Sequence, residues 1–433
     1  MRLSVTTTQA FVAVIMASPV IEPRQGIDTS LVDSAPTPTN ASIPIGPTAD
    51  STTYDLSKAT ASATASPLPV GTAPVKRRYV LPRQRACQPL PSGAGPVPTP
   101  DTDSSFLGDD DFSTSASQAS TPSGYNETYI DLHARSESYG YLGFNAIDSY
   151  DPQNCATQCN KTWRGCQGFN IFFERDPSVE PGPNCTNPPS TTTIKCIFWG
   201  GLVSVETASN TGQYIADFHV VIAGSNGYMK NAIPLVPGYD GEATGNNTID
   251  APGSDTGEPS TTTTSSTSSN STTSTSSTNS ATSGSVTSTT SGSITSSSSS
   301  AGSTTTTGST SSTSSTTSSP TTSSTAPPGA GPGTGTYIGS KIFTNTYFDP
   351  SLCGAACDSQ NQNNLAHPPN SGKPQICRFF TTYLLYKNGQ SIGQYCALYT
   401  QYYSSSYATN SGTQSGGNTL DVRHAYSYRN TKV

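Results

Sequence analysis

Apolar positions in this chain are few and bunched. After Met1-Arg2 and a polar stretch, an apolar run covers Ala10 to Ala17 (AFVAVIMA). A run of eight residues is too short to span a bilayer and fits the apolar core of a secretory signal peptide, predicted over 1–18. The later apolar clusters are rich in aromatics: Phe169-Asn-Ile171-Phe172-Phe173, Ile197-Phe198-Trp199, Phe379-Phe380 with Tyr383-Leu384, and Ala397-Leu398-Tyr399. Runs of this kind favour strands. Lys387-Asn388-Gly389-Gln390 joins two of them, and Asn-Gly is the strongest short hairpin signal. Ahead of each series stands Asp-Pro and then two cysteines four apart. The Asp carboxylate caps free N–H groups at a helix start, and Pro at the first helical position needs no donor. Cysteines at i and i+4 then point from one helix face.

The two clusters are an internal repeat. Tyr150-Asp151-Pro152-Gln-Asn-Cys155-x3-Cys159 matches Phe348-Asp349-Pro350-Ser-Leu-Cys353-x3-Cys357. A third cysteine leads each aromatic run (Cys166, Cys377), and a further one sits inside a later strand (Cys196, Cys396). Gly140-Tyr141-Leu142-Gly143 echoes Thr336-Tyr337-Ile338-Gly339. The predicted class is α+β: two small disulfide-stapled modules, each a short helix packed on an antiparallel sheet. The second module has four cysteines. The first has five, with Cys185 among them, and Cys87 upstream makes six. Spacing alone leaves their connectivity open.

Composition explains what lies between. Hydrophobic residues are 32% and charged residues 11%, with Gly 38 and Pro 34, so one compact 433-residue domain is not expected. Between Ser260 and Thr325, 55 of 66 residues are Ser or Thr, which cannot form a packed core and is the usual substrate of dense O-glycosylation. Residues 241–335 are therefore expected to be a disordered linker, with an extended reach on the order of 200 Å across its Ser/Thr tract. Residues 19–78 are Pro/Ser/Thr/Ala-rich and read as a prosegment or flexible arm without a core, ending at the basic run Lys76-Arg77-Arg78. A secretory protease cutting at Lys76 and Arg77 is the functional reading. Ten cysteines and the Asn-x-Ser/Thr sequons at Asn40, Asn126, Asn160, Asn184, Asn246 and Asn270 agree with an oxidising, extracellular setting. A net charge of -7 disfavours nucleic acid, and no second apolar run or apolar C-terminus suggests a membrane span or lipid anchor.

The C-x3-C helix, the third cysteine before an aromatic strand and the last cysteine in a following strand resemble the PAN/apple module. The stretches YDPQNCATQCN, CQGFNIFFERDP, IKCIFWGG and VVIAGSNGY further resemble a group of secreted ascomycete proteins with two such modules, here 79–240 and 336–430. The long Ser/Thr tract between them departs from that pattern. The resemblance implies two nested bridges per module: Cys155–Cys196 with Cys159–Cys166, and Cys353–Cys396 with Cys357–Cys377. Cys87 and Cys185 are left and are expected to pair. It also implies non-catalytic binding of carbohydrate or protein, such as a wall polysaccharide or extracellular protein, at the fungal surface. A mucin-like coat is the alternative.

Catalytic signatures are scarce. His133, His219, His367 and His424 are far apart, and Ala223-Gly224-Ser225-Asn226-Gly227 misses the nucleophile-elbow pattern and reads as a turn. Glu174-Arg175-Asp176 offers two carboxylates, but Arg175 between them and Pro177 after them suggest a strand-end turn with a local ion pair. Asp109-Asp110-Asp111 lacks calcium-loop spacing and reads as a solvated run in a flexible arm. No metal, cofactor or catalytic residue is expected. Of 21 tyrosines, eleven fall between Tyr337 and Tyr428. Tyr402, Tyr403 and Tyr407, in a Ser-rich stretch where exposure is expected, are the candidate binding residues.

Overall fold

The structure is a computed structural model describing residues 27–36, 43–65, 86–250, 336–370 and 372–433. The signal segment, Asn40, the basic run 76–78 and the Ser/Thr tract with Asn270 lie outside the described residues. The N-terminal stretch supplies α1 (Thr29–Ser34), β1 (Asp50–Ser51) and α2 (Leu56–Thr64). Next come α3 (Asp103–Leu107), α4 (Asp110–Ser117), β2 (Tyr125–Leu132), β3 (Arg135–Ser136) and β4 (Tyr141–Ile147). The first cysteine helix, α5 (Pro152–Lys161), leads to β5 (Gly168–Pro177), β6 (Ser190–Trp199), β7 (Ala208–Asn210), β8 (Gly212–Ile215), β9 (Phe218–Lys230) and β10 (Tyr239–Gly245). The second repeat comprises β11 (Tyr337–Phe343), α6 (Pro350–Ala366), β12 (Phe379–Lys387), β13 (Gln390–Tyr399), β14 (Gly412–Ser415) and β15 (Asn418–Asn430).

Both cysteine helices begin as the Asp-Pro pairs predict. The Asp151 carboxylate accepts from the Gln153 amide and Asp349 from the Ser351 amide, each at 2.9 Å, with Pro152 and Pro350 opening the helices. The Asn388-Gly389 turn joins β12 to β13 with both residues at positive φ (52° and 80°), the conformation a two-residue hairpin needs. The strands form a seven-stranded antiparallel sheet, ordered β1-β4-β6-β5-β9-β2 with β8 against β9. A six-stranded sheet runs β10-β15-β12-β13-β11 with β14 against β15, and β3 pairs with β7. Five disulfides join Cys155 to Cys196, Cys159 to Cys166, Cys353 to Cys396, Cys357 to Cys377, and Cys87 to Cys185. The first four staple each helix to its own repeat, and the fifth ties the segment ahead of α3 to the loop after β5.

All described residues fall in one compact unit. Residues 239–245 form β10 and extend the second sheet by pairing with β15, so 241–245, expected to open the disordered linker, are instead a strand. Aromatic residues are also exchanged. Tyr139 lies in the second repeat's core and donates to the Phe343 carbonyl at 2.9 Å, while Tyr347 lies in the first repeat's core. Tyr347 fits because Gly165, at φ +80°, and Gly200 leave room. A β-carbon at either would lie within 2.4 Å of the tyrosine.

The N-terminal stretch departs from its expectation as an arm without a core. It contributes buried Leu31, Val32, Ile43, Ala59 and Ala63. Few apolar residues suffice because existing sheets and helices already present the surface they dock on. Asp109-Asp110-Asp111 is likewise not simply a solvated run: Asp109 caps α4 by accepting from the Asp111 amide at 2.9 Å, and Asp110 and Asp111 lie in the helix's first turn, where the dipole favours them. Residues 223–227 are no turn but part of continuous β9, bulged at Gly224 (φ +56°).

Candidate functional site: an amide-lined groove beside the first cysteine helix

Between α5, the end of β4 and the N-terminal stretch lies an open polar groove of about 490 Å³. Asn145 comes from β4, Asn154 and Gln158 from α5, Asp148 and Ser149 from the β4–α5 connection, and Pro47 and Ala49 from the N-terminal stretch. Asn154 and Gln158 are one helical turn apart and share a face. Their amides form a relay: Asn145 Nδ2 donates to Gln158 Oε1, and Gln158 Nε2 donates to Asn154 Oδ1 at 3.0 Å. A relay of this sort fixes which amide ends face outward, presenting ready donors and acceptors to hydroxyl groups.

The second repeat shows what the same place does when filled. Asn145 pairs in register with Cys196, and Lys341 pairs with Cys396, so the two are equivalent. Asn154 and Gln158 precede the two α5 cysteines, as Leu352 and Ala356 precede those of α6. In the second repeat α2 packs there, burying Ala59 and Ala63 with Leu352 and Ala356. Lys341 Nζ donates to carbonyls at the C-terminal end of α2, from Ser62, Ala63 and the following Ala65, at 2.6–2.8 Å. Burial draws this ammonium down to about 8. One position of the fold thus has an apolar form covered by a helix and an amide-rich form left open.

The Glu174-Arg175-Asp176 carboxylates lie elsewhere, and not at a turn. All three residues are buried within β5. Glu174 pairs with Lys195 of β6 rather than with Arg175, and Arg175 bonds Asp101 at 2.9 Å and the His219 carbonyl at 3.0 Å. The sequence could not signal this because the partners come from other strands and loops. Glu174 and Asp176 point to the same face and share one donor, the Gly46 amide, at 3.3 and 3.0 Å. Burial raises carboxyl groups in general; the Lys195 ammonium overcomes this and holds Glu174 below its usual range. Asp176, buried beside an ionised Glu174, is pushed well above it and retains the pair's proton. Two carboxyls two residues apart on one covered strand do not straddle a substrate as glycoside hydrolysis requires.

The tyrosine candidates are not a freely exposed surface. Tyr403 is buried, donates to Thr336 Oγ1 at 2.8 Å, and packs edge-on against Phe379, Tyr399 and Tyr407. Tyr402 and Tyr407 are half-buried against the same core, with the Arg429 guanidinium 5.4 Å from the Tyr402 ring centre. Among the described residues, the aromatic ring that does face solvent is Tyr214, 68% exposed. It stacks flat on His219, 4.0 Å between centres, and His219 Nδ1 lies 2.7 Å from Asp103 Oδ2. The Ser-rich context of Tyr402–Tyr407 misled because a serine-rich segment can still cover a sheet. Tyr214 stands in a polar stretch without any distinguishing signal. His424, by contrast, is half-buried with its ring edge-on to Phe348, and desolvation lowers it to about 4.

Asn126, Asn160, Asn184 and Asn246 are exposed, as glycan acceptors must be. Among the described residues no group of His, Cys, Asp and Glu could hold a metal ion, and no helix is long and apolar enough to cross a membrane. No family model, curated protein or solved structure matches the chain.

Proposed function

We propose that this chain is a secreted, glycosylated binding protein of the fungal surface or wall. In this reading its two repeats are PAN/apple-like modules, flanking a disordered Ser/Thr-rich spacer, and neither is catalytic. The observation that carries the reading is the contrast between equivalent positions: a helix-covered Leu352–Ala356–Lys341 face, and an open Asn154–Gln158–Asn145 face. Amide side chains in a solvent-filled groove suit polyhydroxylated ligands, so carbohydrate is the ligand class we assign, with an extracellular protein the alternative partner. Five disulfides and four exposed sequons support an extracellular setting.

The test is an array of glycans and wall polysaccharides probed with the full chain made through an oxidising pathway. Saturable binding, lost in Asn154→Ala/Gln158→Ala, is expected. Silence from a folded, fully disulfide-bonded chain overturns the carbohydrate assignment. A second reading, a mucin-like coat, is favoured by the Ser/Thr density of 260–325. Deleting that tract would abolish a coat role and leave intrinsic binding intact.

A further inference from the structure

Residues 27–36 and 43–65 lie across both repeats, yet no disulfide holds them: all ten cysteines stand at position 87 or beyond, and none is free. The polar contacts of this strap are made largely by its main chain. In the first repeat the Pro44 carbonyl accepts from Lys195 Nζ at 3.1 Å, and the Gly46 amide donates to Asp176 and Glu174. Asp50 and Ser51, as β1, add the sheet's outermost strand by pairing with Phe144 and Gly143 of β4, and the Thr52 amide donates to the Leu142 carbonyl at 2.8 Å. In the second repeat the Asp28 amide donates to the Tyr395 hydroxyl at 2.7 Å, and three carbonyls of 62–65 surround Lys341.

The two repeats are met at one shared point. Lys195 and Tyr395 each stand immediately before the strand cysteine, Cys196 or Cys396, and each takes a main-chain group of the strap. Strand addition at a sheet edge, main-chain capture by side chains and a few small apolar anchors are how folded domains bind extended peptides. The basic run Lys76-Arg77-Arg78 stands between the strap and Cys87 in the sequence.

We propose that the strap is a separable peptide ligand of the folded core. Cut from it between Ala65 and Cys87, residues 27–65 stay seated without a covalent link. The site formed by Lys195, Glu174, Asp176 and the β4 edge then exchanges them for the same segment of a second copy. This inference does not depend on carbohydrate binding.

The test uses the full chain, cleaved by a dibasic-specific endoprotease, alongside a variant with a site-specific protease sequence in place of Lys76-Arg77-Arg78. Under native size-exclusion chromatography the strap should co-elute with the core. A labelled synthetic peptide spanning 27–65 should then replace it, saturating at one per core. Peptide uptake by cores carrying Lys195→Met should fall about 10-fold or more. A peptide with Gly46→Ala should bind several-fold more weakly although nothing lies within 4 Å of the added carbon, because Gly46 sits at φ +80°. The proposal is overturned if the cut core unfolds, or if an intact core takes up no peptide. It is also overturned if neither chain can be cut in this connection, or if Lys195→Met and Gly46→Ala leave uptake unchanged.

Discussion

Lys195 Nζ, fully buried, sits between the Glu174 carboxylate on the neighbouring strand and the Pro44 carbonyl, 151 positions earlier in the chain. A buried charge keeps its ionised form only with a partner, so removing either member strands the other. Lys195→Met and Glu174→Gln should each destabilise the protein by about 3–5 kcal/mol. Lys195→Met/Glu174→Gln together should cost clearly less than the sum of the two. Denaturant melts of the three variants measure this directly. Additive losses would mean that the two side chains are not energetically coupled.

The neighbouring carboxyl predicts a pH dependence of the opposite sign. Asp176 is raised above its usual 3.8, so the folded state holds a proton that the unfolded chain releases. Its contribution to stability is greatest below about 4 and declines as pH rises toward the folded value. Glu174, lowered from 4.5, contributes stability above that value and loses it as pH falls through its folded value. Asp176→Asn should therefore be more stable than wild type at pH 7, and the gap should close near pH 4. A gap that widens toward pH 4 would reverse the assignment of the shared proton.

The exchanged aromatics predict that the two repeats unfold together. Gly200→Ala would place a β-carbon 2.2 Å from the Tyr347 β-carbon, so the backbone must yield. Overpacking of this kind typically costs about 1–3 kcal/mol. The expected outcome is one cooperative transition at a lower temperature, because the contact joins two cores rather than finishing one. Two separate calorimetric transitions in the wild type would show instead that the repeats are energetically independent.

Local chemistry was the legible part of this fold. Asp151-Pro152, Asp349-Pro350 and Asn388-Gly389 act within a few residues of themselves, so their helix starts and hairpin could be read directly. What the sequence concealed is held together by main chain or by distant partners. The strap docks through main-chain carbonyls, which every residue carries, and amides, which every residue but proline carries, so its Pro/Ser/Thr-rich composition says nothing of them. Glu174 looked like a member of a local ion pair because Lys195 belongs to another strand. Tyr403 looked exposed because its neighbours are serines, yet its hydroxyl reaches Thr336 and its ring the core. The amide groove showed no motif at all: Asn145, Asn154 and Gln158 gain meaning only beside Lys341, Leu352 and Ala356 in the other repeat.

That comparison yields the last prediction. Lys341 is 1% exposed, and its ammonium is satisfied by the carbonyl end of α2, where a cation also opposes the helix dipole favourably. Burial still lowers it to about 8, so between about 8 and 10.5 the unfolded chain binds more protons than the folded one. Stability conferred at this site therefore rises with pH across that window and is flat below it. Lys341→Met removes the titration but leaves three carbonyls without their donor. The difference in unfolding free energy between wild type and variant should change by on the order of 2 kcal/mol from pH 7 to pH 10.5. Amide hydrogen exchange over 59–65 should quicken in the variant while β12 and β13 stay protected, since α2 loses its anchor and the sheet does not. Unchanged exchange in α2 would mean that Ala59 and Ala63 alone hold the helix. The lysine would then be a tolerated burial rather than the element that distinguishes the covered face from the open one.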